Sequence, residues 1–209
     1  RPEVTHLSNL KDAQGRQIGR PGTGELEWHS DQSYQAEPAT GTFLYSVEVP
    51  TEGGNTYFAN LHLAYEHLPQ SLKNTVKGRR GVFSYARRVA GYEEEKDLKP
   101  EMKLKTPDIS HALVQMHPVS GRESLYFDPS TVIGIEGLAD EEAEPILKEI
   151  TTHVTNPQFT HCHEWQAGDL VMWDNGFTMH RRDSYDAEQR RFLKRTSVRL
   201  PPELHIVPN

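Results

Sequence analysis

His29-Ser30-Asp31 lies near the start of the chain, and His180 lies far downstream in the run Trp173-Asp174-Asn175-Gly176-Phe177-Thr178-Met179-His180. For these three side chains to act together, the chain must fold back so that a late strand lies beside an early one. Within H-x-D, the spacing of two puts both side chains on the same side of an extended segment. Two neutral imidazoles and one carboxylate on one face of a metal leave the opposite positions open. A non-haem Fe(II) centre needs that arrangement when a cosubstrate and O2 must both reach it. Taken alone the pair is weak ground. With 11 His in an acidic chain, H-x-D also describes an exposed polar loop.

The surrounding runs narrow the reading. After Asp31 comes Val49-Pro50-Thr51-Glu52-Gly53-Gly54-Asn55-Thr56-Tyr57-Phe58-Ala59-Asn60, and after His180 comes Arg190-Arg191-Phe192-Leu193-Lys194-Arg195-Thr196-Ser197-Val198-Arg199-Leu200. With Trp28-His29-Ser30-Asp31 and Gly168-Asp169-Leu170-Val171-Met172-Trp173-Asp174-Asn175, these runs fall in one order along nearly the whole chain. In that order the sequence resembles the taurine dioxygenase / 2,4-dichlorophenoxyacetate dioxygenase (TauD/TfdA) family. The resemblance implies a mainly β fold with flanking helices, a double-stranded β-helix or jelly roll. It also implies an Fe(II)- and 2-oxoglutarate-dependent dioxygenase that uses O2, releases succinate and CO2, and hydroxylates a small organic substrate.

Composition excludes several alternatives. The 209 residues suffice for one domain with a substantial core. A net charge of -7 argues against a nucleic-acid or anionic-membrane surface. No apolar run approaches the ~20 residues needed to span a bilayer. The one cysteine, Cys162, precludes an intrachain disulfide and fits a reducing, cytoplasmic compartment. No signal peptide is seen at Arg1-Pro2-Glu3-Val4. The chain does not begin with Met, and the segment before the iron motif is shorter than the family's usual one. An N-terminal portion that commonly helps build the substrate pocket is therefore expected to lie outside these 209 residues. Whether the chain forms a homo-oligomer is left open.

Residues 42–49 alternate, with Phe43, Tyr45, Val47 and Val49 on one face, and predict a strand stopped by Pro50. Asn60 reads as the cap of a helix carrying Leu61, Ala64, Tyr65 and Leu68. Residues 71–77, closed by Gly78, predict a second short helix, and 82–89 a strand. Residues 91–107 are charged, hold two prolines and show no period, which predicts a lid over the site. Val119-Ser120-Gly121-Arg122 between 113–118 and 124–127 predicts a hairpin. Residues 140–154 give the clearest helical period, with Ile146, Leu147, Ile150 and Val154 on one face before Asn156-Pro157. Strands are expected at 158–165, 170–173 and 191–200, separated by turns at Gly168-Asp169 and Asn175-Gly176.

His29, Asp31 and His180 are the candidate metal ligands and the catalytic centre. The far carboxylate of 2-oxoglutarate needs a planar, permanently charged donor, hence Arg rather than Lys. Arg191 sits where the family places that arginine. Strand parity puts it on one face with Arg195, leaves Arg190 on the surface, and turns Phe192, Thr196, Val198 and Leu200 outward to pack on helices. By resemblance, Thr56 is the hydroxyl partner of the same carboxylate, and Arg195 reaches the cosubstrate or an anionic substrate head. Gly24-Glu25-Leu26-Glu27 puts acids where sulfonate-specific members place a polar amide. Glu25 is therefore a second substrate-binding candidate, favouring an amine. Trp28, Trp165 and Trp173 are expected in packing roles.

A rival metal set is His161-Cys162-His163-Glu164. A cupin motif, however, places its Glu several residues beyond the second His. The alternative function is accordingly a cupin-like metal-binding jelly roll without oxygenase activity.

Overall fold

The computed structural model describes residues 3–91 and 106–201. In chain order the first strands are β1 (Thr5–Ser8), β2 (Leu26–His29), β3 (Gly41–Glu48) and β4 (Thr56–Asn60). Helices α1 (Leu61–Glu66) and α2 (Gln70–Val76) follow, then β5 (Arg80–Phe83) and α3 (Tyr85–Gly91). The next group is β6 (Ile109–Ala112), β7 (Val114–Met116), β8 (Glu123–Leu125), β9 (Val132–Ile135) and the long α4 (Asp140–Val154). Four strands close the list: β10 (Thr160–His163), β11 (Leu170–Asp174), β12 (Thr178–Arg182) and β13 (Phe192–Val198).

Two four-stranded sheets, β1-β13-β3-β11 and β10-β4-β12-β2, form the jelly roll; every pairing within them is antiparallel. β5, β6 and β9 make a smaller sheet beside them. One apolar cluster, Leu44, Trp165, Trp173 and Leu193, lies between the two large sheets. The larger core lies outside the barrel, where Ala59 of β4 and Met179 of β12 meet Leu61, Ala64, Ile150 and Val154 from the helices. Alternation thus sends odd and even residues of one strand to different tasks: on β12, Met179 anchors the helical layer and His180 joins the site. No helix among the described residues is long and apolar enough to cross a membrane.

Several local expectations match the structure. Asn60 caps α1 by accepting the Leu63 N–H at 2.9 Å. β7 and β8 pair across the expected turn, and α4 has the expected bounds. Others need correction. The stretch 82–89 is the end of β5 followed by α3, because the Ser84 hydroxyl accepts the Arg87 N–H at 3.4 Å and starts a helix. The first two residues of 158–165 belong to a 3-10 turn, Pro157–Phe159, and the strand runs Thr160–His163. Among the described residues, no outward side chain of β13 joins the helix-packed core, which lies on the other sheet; Leu200 just beyond it is 44% exposed. Most of 91–107, the predicted lid, lies outside the described residues; Gly91 is the last residue of α3.

Candidate metal centre and cosubstrate pocket

β2 lies beside β12 with His29 directly opposite His180, so backbone register brings the distant ligand home. The chain then turns immediately, and Asp31 points back at both rings. The His29 and His180 Nε2 atoms lie 3.9 and 3.7 Å from the same oxygen, Asp31 Oδ1. The ring centroids are 4.1 Å apart. All three residues are buried, and their ligand atoms lie within 4.8 Å of one another. Among the described residues this is the one group of His, Cys, Asp and Glu so gathered. His161, Cys162 and His163 form no such group; His163 instead lies 3.1 Å from Asp169 Oδ2.

Each ligand is held from behind. His29 Nδ1 donates to the Glu27 carbonyl at 2.7 Å, which leaves Nε2 as the lone-pair atom. His180 packs against Trp173 and Phe58. Asp31 Oδ2 is turned away from the imidazoles and accepts from Thr42 Oγ1 at 2.7 Å and from Arg195 Nη2 at 2.5 Å. Thr42 in turn accepts from Asn175 Nδ2, and Asn175 Oδ1 accepts from Trp173 Nε1. The relay Trp173–Asn175–Thr42 fixes the donor direction along its length, so Oδ2 is occupied and Oδ1 alone faces the histidines. Two imidazole nitrogens and one carboxylate oxygen on one face fit a divalent first-row metal with open positions.

Electrostatics support the same state. Burial pushes the His180 imidazole down to about 4, and burial with the neighbouring His180 holds His29 well below its usual range. Burial alone would raise the Asp31 carboxyl, but Arg195 and the two histidines outweigh it and hold it below the usual carboxylate range. All three groups are therefore in their metal-binding protonation states at neutral pH. The linkage sign is definite: the unfolded chain takes up protons on these histidines near pH 6.5, whereas in the folded chain His180 does not until about pH 4 and His29 is likewise held well below its usual range. Metal-free protein is accordingly expected to lose stability as pH falls from about 6.5 towards 4, its Tm dropping by roughly 5 °C or more. A flat Tm over that window in calorimetry would contradict the assignment.

A second pocket is built around Arg191. Its side chain is buried and its pKa is lowered to about 10, by burial first and then by the nearby charge of Arg182. Nη2 donates to the Gly54 carbonyl at 3.5 Å, the guanidinium lies 5.5 Å from the Tyr185 ring centre, and Nε has no hydrogen-bond partner among the described residues. A buried cation with an unmet donor suits an anionic ligand. The Gly-Gly pair shapes this pocket. Gly53 and Gly54 both adopt left-handed backbone (φ +74 and +66), and a Cβ on Gly54 would stand 3.3 Å from Arg191 Nε. Thr56 is buried two residues further on, and its hydroxyl accepts from Trp165 Nε1 at 2.9 Å. A hydroxyl that accepts keeps its own proton to donate.

The remaining candidates separate cleanly. Arg195 is brought to the metal cluster through Asp31. Glu25 is not: it is exposed and pairs with Arg181, which also pairs with Asp183. Arg190 pairs with Glu48 on the surface. Sequence reasoning missed Thr42 and Asn175. Their signal was present but unreadable, since a strand Thr and a turn Asn have ordinary reasons to be there.

The family described as "Taurine catabolism dioxygenase TauD, TfdA family" matches residues 1–197. An alpha-ketoglutarate-dependent 2,4-dichlorophenoxyacetate dioxygenase from Burkholderia sp. (strain RASC) is 32% identical over 202 residues, covering 94% of this chain and 67% of that protein. Pentalenolactone F synthase from Streptomyces avermitilis is 29% identical over 208 residues, covering 92% of this chain and 67% of that protein. The chain thus spans about two thirds of the length of these curated relatives. The crystal structure of AAD-2 in complex with Mn(II) and N-oxalylglycine superposes with a TM-score of 0.81 at 31% identity, over 96% of this chain and 73% of that one. The non-oxygenase alternative has no counterpart among these relatives. The register-paired triad, the buried arginine beside the Gly-Gly turn and the match to residues 1–197 place this chain in the TauD/TfdA family of 2-oxoglutarate-dependent dioxygenases.

Proposed function

We propose that the chain is an Fe(II)-dependent dioxygenase that uses O2 and 2-oxoglutarate to hydroxylate a C–H bond of a small organic acid. The observation that carries this reading is the geometry of Asp31: Oδ1 faces both histidine Nε2 atoms while Oδ2 is tied to Thr42 and Arg195. Bound iron would couple oxidative decarboxylation of 2-oxoglutarate, giving succinate and CO2, to oxygen insertion into the substrate.

The chain's own residues divide the remaining work. His29, Asp31 and His180 hold the metal on one face. Arg191 and Thr56 take the far carboxylate of 2-oxoglutarate, where the arginine's burial makes a charge-assisted bond strong and directional. N-oxalylglycine differs from 2-oxoglutarate only by an NH in place of one methylene, and its binding with Mn(II) to the AAD-2 fold supports this pairing of sites. Arg195 pairs with Asp31 at the metal cluster, and its guanidinium is the candidate partner for an anionic substrate head. A carboxylate head agrees with the 2,4-dichlorophenoxyacetate named for the Burkholderia relative.

The test is a substrate screen that measures succinate formation with Fe(II), ascorbate and 2-oxoglutarate, using carboxylates, sulfonates and amines of matched size. Carboxylates are expected to stimulate succinate release most. Because Glu25 lies in an exposed ion pair, Glu25→Gln is expected to leave kcat/KM within about twofold for every class. A selective loss of amine turnover in that variant would move the substrate site to Glu25. No stimulated succinate release from any class would reject the proposed substrate type.

A further inference from the structure

Behind the metal ligands lies another buried carboxylate that the reading above leaves unused. Asp128, just beyond β8, is fully buried. Its Oδ2 accepts from the Ser30 backbone N–H at 3.1 Å and from Ser33 Oγ at 2.6 Å. Its Oδ1 accepts from the Ser130 N–H at 2.8 Å and from Ser130 Oγ at 2.7 Å. Arg88 Nη1 donates to that same Ser130 hydroxyl at 3.1 Å. Ser30 is the residue between His29 and Asp31, so one oxygen of Asp128 grips the metal-binding turn itself. The other oxygen grips Asp128's own loop at Ser130, so the carboxylate ties that loop to the metal-binding turn.

The turn it grips is strained. Gln32, immediately after Asp31, has φ +59, and among the described residues it is the one non-glycine residue in left-handed backbone. Such a conformation persists in a long side chain only where the surroundings over-determine it. Here they do so from two sides. Asp128 holds Ser30 and Ser33, on either side of Gln32, from within. Arg199 holds the Gln32 and Gln35 side chains at 2.6 and 2.8 Å and the Glu37 carbonyl at 2.9 Å from outside. The sharp reversal at Gln32 turns the chain back straight after Asp31, whose carboxylate faces both rings. A neutral amide in its place could serve with its one oxygen only the donors on one side. Two oxygens taking four donors from two loops fix the distance between those loops as well.

We propose that Asp128 is a positioning residue for the metal centre, holding the His29-Ser30-Asp31 turn in its strained, ligand-ready form. The proposal rests on the metal-site reading given above. Its effect falls on metal affinity more than on the fold, because loosening the turn lets Asp31 swing away from a pair of histidines that β2 and β12 still hold in register.

The test titrates Mn(II) into metal-free protein, with free Mn(II) read by its EPR signal, and pairs it with the Tm of the same metal-free samples. Asp128→Asn is expected to weaken Mn(II) binding by roughly ten- to a hundredfold at a temperature where circular dichroism shows it folded. Ser33→Ala removes a single donor and carries the test if Asp128→Asn fails to fold; its expected loss is about threefold or more. Wild-type Mn(II) affinity in a folded Asp128→Asn or Ser33→Ala protein, with only Tm lowered, would overturn the positioning role and leave the metal site standing. Absence of Mn(II) binding by the wild-type protein would overturn both.

Discussion

His180→Ala is expected to lower 2-oxoglutarate-dependent succinate formation by about a thousandfold or more while the protein stays folded. Loss of one of three protein ligands removes several kcal/mol of metal binding, and each 1.36 kcal/mol is about a tenfold effect. The fold tolerates the change because His180 contributes no irreplaceable bond: among the described residues its Nδ1 is buried without a partner, and it packs against the His29, Trp173 and Phe58 rings. The cost to the metal-free protein is a cavity beside Trp173, on the order of 1–3 kcal/mol, or a few degrees in Tm. A second measurement separates the two effects. Added Mn(II) should raise the wild-type Tm by mass action and leave that of His180→Ala unmoved. If the variant kept near-wild-type turnover, or if Mn(II) stabilised both proteins alike, His180 would not be a ligand.

The sequence made the candidate ligands visible but not their arrangement. H-x-D spacing announced His29 and Asp31 as a same-side pair, and the runs around His180 marked the third partner. That His180 stands directly across from His29 is a fact of strand register, which local periodicity does not encode. Parity served well on β13: Arg191 and Leu193 are buried, Arg195 reaches Asp31, and Arg190 lies outside. On β3 the alternation was right but its apolar face was the outer one. Thr42, Leu44 and Ser46 face in, while Tyr45 is 42% exposed. The reason is physical. The barrel interior houses a polar site, so inward positions there are chosen for hydrogen bonding to Asp31 or to loop carbonyls, not for oiliness. The apolar-inside rule holds for the helix-covered face of the other sheet, where Ala59 and Met179 sit. Glu25 lies beside the iron motif in sequence, but in the fold it is exposed and paired with Arg181, a placement that local spacing does not encode. Asp128 gave no warning at all, since the two donors that tie it to the metal-binding turn come from Ser30 and Ser33, nearly a hundred residues earlier.

Arg191→Met is expected to raise the KM for 2-oxoglutarate by roughly ten- to a hundredfold, with kcat at saturating cosubstrate far less affected. A bond from a charged donor to a carboxylate contributes about 1.5–3 kcal/mol, which spans that range. Methionine keeps much of the apolar stem and removes the charge, so packing against Tyr185 changes little. The stability of the metal-free protein distinguishes this residue from an ordinary structural arginine. Burial and the charge of Arg182 hold the Arg191 pKa near 10, below its usual value, so the charged form is disfavoured in the fold and costs stability at neutral pH. Removing it should leave Tm level or raise it, the signature of a group kept for its ligand. Arg190→Ala is the matched control. It breaks an exposed pair with Glu48 and is expected to alter neither KM nor Tm measurably. Equal effects from the two substitutions would show that parity on β13 had been read from the wrong face. A large fall in Tm for Arg191→Met with unchanged KM would make Arg191 a structural cation and leave the far carboxylate of 2-oxoglutarate to another residue.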